Sequence, residues 1–190
     1  MNRIHGAEDV ARLSLSEYVA LRHTIAVRGT ARMLVAPISC FGWAALAVGV
    51  GWDGPPTATL LPLVALVAGF ESVHALHVGA ERVGRYLQVY YEAESNGPRW
   101  ESTAMIVGPA LPGGGIDPLF SGLFLGSTLL NLSRAVVPFD LTAALGVTAV
   151  LHAAFAVRIV RARVAATRQR AVELESFEAI RSRQRSGNSE

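Results

Sequence analysis

Residues 33–52 read MLVAPISCFGWAALAVGVGW, a run without a charged side chain. At 1.5 Å per residue such a run is about 30 Å long as a helix, the thickness of the hydrocarbon layer of a bilayer. A chain that carries one such run is read by asking how many others it holds.

Three more follow. Thr57–Val78 is interrupted only by Glu71, His74 and His77. GWDGPP lies between the first two runs, and Pro55 and Pro56 suit a helix start, so the two make a hairpin. Pro118–Val137 holds a short run bounded by Asp117 and Arg134, whose side chain can snorkel. Leu141–Val157 follows VPFD, contains His152 and completes a second hairpin. The expected fold is all-α: an integral membrane four-helix bundle of two transmembrane hairpins with helical cytoplasmic extensions.

Composition agrees. Hydrophobic residues are 51% of the 190, before 18 glycines are added, and the mean hydropathy is +0.36; soluble domains hold roughly 45–50% with glycine included. The 17 basic residues are all arginine, and the net charge of +2 gives no case for nucleic acid. The single Cys40 excludes an intrachain disulfide, a CxxC pair and a cysteine-cluster metal site. Charges of both signs among residues 1–32 do not fit a signal peptide, so this segment is expected to be retained.

The arginines set the orientation. With spans at 33–52, 57–78, 118–137 and 140–157, residues 1–32, 79–117 and 158–190 share one side, and only Arg134 lies on the other. The positive-inside rule makes the rich side cytoplasmic. A bacterial inner-membrane protein with both termini in the cytoplasm is expected.

Helical periodicity continues past the bilayer. Val73, Leu76, Ala80, Val83, Leu87 and Tyr90 recur at heptad spacing, as do Val160, Val164, Thr167, Ala171, Leu174 and Phe177. A cytoplasmic stalk is expected, built from the extended second helix and an Arg-rich helix in 158–190 that ends in a frayed RSGNSE tail. Before the first span, Ser14-x-x-Glu17 reads as a capping box, and Leu15, Tyr18, Leu21 and Ile25 form one stripe. Residues 1–32 should therefore be a separate amphipathic helix on the stalk or the membrane surface. Residues 79–117 hold the helix extension and a Gly/Pro-rich connection, in which 102–116 is either a loop or re-entrant.

Polar groups inside a bilayer cost at least ~2.5–3.5 kcal/mol and need a reason. On the second helix Glu71, His74, His77, Glu81, Arg85, Gln88 and Glu92 fall within about 120° of one another, a polar ladder opposite the heptad seam. Counted from the outer ends, Cys40, Glu71, Ser127 and His152 share a depth, so a Glu71–His152 contact is allowed. The candidate intramembrane polar site is Glu71, His74, His77, Glu81, Arg85 and His152. It reads as interhelical glue that fixes register, or as a proton relay. Haem held by His74 or His77 with His152 is the cofactor alternative. A di-iron site needs a second ExxH and further carboxylates, which the chain lacks.

No catalytic set assembles. An enzyme acting on lipid headgroups through His77, Glu81, Arg85, Arg99 and Glu101 would lack an activated nucleophile. Gly113–Gly115 lacks the rest of a phosphate loop, and Gly122-x-x-x-Gly126 is a short motif for close helix packing. The expected function is a small multi-pass membrane protein of structural or partner-binding type, docking another protein or a second copy through its stalk.

Overall fold

A computed structural model describes residues 2–51, 54–93, 99–107, 116–136 and 142–187. Among these residues the chain is helical and has no strand. Four helices are long and apolar enough to cross a membrane, and they pack as a bundle.

α1 runs Asn2–Val50 without a break. No boundary separates residues 1–32 from the first apolar run, because nothing between them terminates a helix. Ser14 and Glu17 lie inside it, where a capping box has no free backbone N–H to satisfy. Pro37 is carried within the helix. The helix ends where Gly51 turns to φ +75°, a left-handed conformation that glycine adopts without a Cβ clash.

Pro55 is extended, and Pro56 opens a single 3-10 turn, Pro56–Thr59, that leads into α2 at Leu60–Leu87. One π-helical turn, Gln88–Glu92, extends α2. The short α3 is Trp100–Val107, α4 is Ile116–Val136, and α5 is a single helix over Ala143–Gly187. Residues 185–187, expected to fray, are helical; 188–190, most of the possible re-entrant stretch, and the span ends at Trp52, Val137 and Asp140 lie outside the described residues.

α2 sits at the centre, against α1, α4 and α5. Contacts fix the directions: Ser39 faces Gly69 and Arg28 faces Gly79, so α1 and α2 are antiparallel. Arg158 meets Glu71 and Arg82 meets Glu173, so α2 and α5 are parallel. The core is Ala36, Leu63, Leu66, Phe70, Val73, Phe120, Phe124, Phe155, Ile159 and Ala162. Phe70 is its hub, edge-on to Phe124 at 5.6 Å and to Phe155 at 5.8 Å. Lipid tails are as apolar as these rings, so such interlocking, rather than water exclusion, is what holds spans together.

α5 departs from the expected seam by one residue within its span and meets it again at Phe177. Phe155, Ile159 and Ala162 are buried, while Val160 and Val164 are each 52% exposed. The inward line continues through Glu173 and Phe177, which meet Arg82, Arg85 and Tyr86 of α2. The packed line in the stalk mixes charged groups with Phe177, and hydrophobic spacing alone therefore finds only part of it.

Candidate functional site

The rungs of the α2 ladder meet α1, α3, α5 or one another. Highest is Glu71, whose carboxylate accepts from Arg158 Nη2 of α5 at 2.7 Å, with both side chains about two-fifths exposed. The Arg158 guanidinium also lies 5.7 Å from the Phe70 ring centre. His74 stacks on Phe70 with ring centres 5.9 Å apart. His77 turns to α1, where Arg32 Nη1 donates to Nδ1 at 2.5 Å. That contact leaves the ring proton on Nε2, 3.5 Å from Glu81 Oε1.

Below this level the ladder enters the stalk. Arg85 is 1% exposed, and it donates to Glu81 Oε2 and Glu173 Oε2, each at 2.5 Å. Arg82 Nε and Nη2 reach the other Glu173 oxygen at 3.1 and 3.0 Å, and Gln169 adds a third donor at 2.8 Å. Burial raises the Glu173 pKa, but hydrogen bonds from Gln169, Arg85 and Arg82 outweigh it, and the net shift is downward. A buried arginine is tolerable only with such partners.

The lowest rung, Glu92, is buried and caps α3. Its carboxylate accepts from the N–H groups of Glu101 at 2.7 Å and Ser102 at 2.8 Å, and from the Ser102 hydroxyl at 2.8 Å. A negative charge at a helix N-terminus is favourable in its own right. Arg22 of α1 in turn pairs with Glu101, whose carboxyl is pushed up by burial against the opposing pull of Arg22. Beside this cap, Arg181 of α5 donates to the Val89 carbonyl at 2.5 Å, within the π turn.

His152 stands apart. Its Nδ1 faces the Thr148 carbonyl at 2.8 Å, and Asn131 Nδ2 lies 2.9 Å from Nε2. The same amide donates to the Thr59 carbonyl at 2.8 Å. Since the amide donates, Nε2 accepts and Nδ1 carries the proton. Thr59 precedes α2, so His152 lies about 18 Å above Glu71 along that helix. The allowed Glu71–His152 contact is therefore absent, and His152 does not share a site with His74 or His77. The depth count misjudged it because α5 begins farther out than α2. Neither ring nitrogen of His152 is left for haem iron, and no group of three or more His, Cys, Asp or Glu side chains with metal-holding geometry occurs among the described residues.

Three glycines of α2 carry a signal the sequence reading missed. A Cβ on Gly69 would overlap Ser39, one on Gly79 would overlap the Arg28 guanidinium, and one on Gly84 would come 3.0 Å from Glu101 Oε2. They recur along the helix where other elements cross closely. Gly122 and Gly126, by contrast, have open space before them.

The site is thus a line of charged and polar groups on α2, in which Glu71, His77, Arg85 and Glu92 are held by α5, α1, α5 and α3, and Glu81 joins His77 to Arg85 within the helix. No family model matches the chain, and neither a curated protein nor a solved structure does.

Proposed function

We propose that this is a small multi-pass inner-membrane protein of structural or partner-binding type, with its arginine-rich ends in the cytoplasm and its helical stalk as the docking element. One observation carries the reading. Leu13, Leu15 and Val19 of α1 and Val172 and Ile180 of α5 are 69, 64, 59, 61 and 47% exposed. These side chains lie about 43–56 Å along their helices from the outer ends of α1 and α5, whereas a bilayer's hydrocarbon is about 30 Å thick. Lipid that covers Phe41 or Val48 does not reach them, and a protein surface would cover them.

The ladder supports the same reading. Glu71, His77, Glu81 and Arg85 are engaged with one another or with neighbouring helices, as glue rather than as groups poised for chemistry. The proton-relay and haem alternatives both required His152 to join them.

The test is photocrosslinking in native membranes, with a reactive side chain at position 15, 19 or 172 and a control at Ser182. A discrete adduct from the first three and none from the control is expected. Absence of adducts at all three, with a monomer in mild detergent, would remove the docking role. Adducts of twice the chain mass identify a second copy, and any other mass identifies a different protein.

A further inference from the structure

At the arginine-rich end of the bundle, α2, α4 and α5 leave a cleft between them. Its floor includes Phe70 and Phe120, and its polar lining is His74, His77, Ser121 and Arg163. Helix lengths give its depth. Counted from Leu60 and Val50, His77 and the neighbouring Arg32 lie about 25 and 27 Å down their helices. These two counts place the cleft near the inner edge of a hydrocarbon layer about 30 Å thick, where lipid headgroups begin.

Among the described side chains, the carboxylates near the cleft are already matched: Glu71 by Arg158, and Glu81 by Arg85. Arg32 lies 5.4 Å from the Phe120 ring centre and donates to His77, and its Nε is buried without a hydrogen-bond partner. Arg163 has no ion-pair or hydrogen-bond partner among the described residues, and the Ser121 hydroxyl makes no hydrogen bond there either. A guanidinium and a hydroxyl left over at a polar mouth above an aromatic floor match a group with several acceptor oxygens joined to an apolar tail.

We propose that this cleft binds the phosphate of an anionic lipid headgroup, with Arg163 and Ser121 donating to its oxygens and Phe70 and Phe120 against its glycerol and acyl chain. The site depends on the membrane reading of the bundle and not on stalk docking, so either can fail without the other. A free phosphate ion offers the same oxygens and lacks the tail.

The experiment uses the full chain in an uncharged detergent, titrated with phosphatidylglycerol, phosphatidylcholine or inorganic phosphate, and reads thermal unfolding and lipid adducts in native mass spectrometry. Phosphatidylglycerol should raise the melting temperature and give a one-lipid adduct, while the other two should not. Arg163→Gln should weaken that binding by about tenfold, the effect of losing one charge-assisted hydrogen bond. Arg161→Gln removes the same charge two residues away on a different face of α5 and should leave binding intact. Equal loss in both variants, or an equal response to phosphatidylcholine, overturns the site. An equal response to inorganic phosphate overturns the lipid as its ligand. Arg163 makes no contact that folding needs, so the unliganded variant should melt with the wild type.

Discussion

At the scale of single residues, Glu173 carries the densest set of contacts. It takes donors from Arg82, Arg85 and Gln169 on two helices. Glu173→Ala leaves Arg85 buried with only Glu81, and should destabilise the protein on the order of 3 kcal/mol, read by thermal or denaturant unfolding in detergent. Its pH dependence has a definite sign. The folded protein holds the Glu173 pKa below the ordinary 4.5, so the ionised form is favoured by folding. This stability is complete above about pH 4.5 and is lost as pH falls through the lowered value. The melting-temperature gap between wild type and Glu173→Gln should be constant from pH 7 to about 5 and close on further acidification. Gly69 makes the complementary point about space. Gly69→Ala drives a methyl into Ser39 and should cost about 1–3 kcal/mol, and the double variant with Ser39→Gly should recover most of it, as a double-mutant cycle can measure.

Elements differ in how far they were legible beforehand. The apolar runs of α1, α2, α4 and α5 are long and nearly free of charge, and composition alone identifies them. The extension of α2 was legible from its heptads because Val73 and Leu87 do pack inward. The inward face of α5 was legible only at Phe177, because Glu173 and Arg181 occupy the rest of it in the stalk while Val160 and Val164 face out. A pattern method reads charge as solvent and passes over such positions. The ladder was legible as a face, but its partners were not, since Arg32, Arg158 and Glu173 come from helices distant in sequence. The continuity of α1 was hidden by a capping box that fits a start signal yet lies in mid-helix. The α3 cap depends on one side chain, so Glu92→Ala should release Trp100–Val107, seen as faster amide exchange across 100–104, with the spans protected as before.

For the molecule as a whole, both hairpins are bound through α2. Two features resist exchange of partners: α1 crosses α2 closely at Gly69 and Gly79, and α5 is keyed to it by Glu71–Arg158 and Glu173–Arg85. Reversing one pair, Glu71→Arg with Arg158→Glu, should retain more stability than either single change, since the ion pair survives with its sign inverted. The end of the bundle away from the stalk is held differently, by Asn131 between Thr59 and His152 and by Arg134 on the Gly51 carbonyl. Asn131→Leu leaves the Thr59 carbonyl and His152 Nε2 without their donor and should cost about 1–2 kcal/mol.

The parallel pairing of α2 with α5 also has a consequence for how the protein is made. A ribosome releases α2 roughly 90 residues before the arginines and glutamate that satisfy it, so during that interval Glu71 is exposed to lipid and Arg85 to water with only part of their final company. Arg28 and Arg32 are already synthesised by then and can hold the first hairpin closed over Gly79 and His77. The second hairpin therefore arrives at a prepared half-interface, and a nascent chain stalled between the hairpins would display a carboxylate without its arginine.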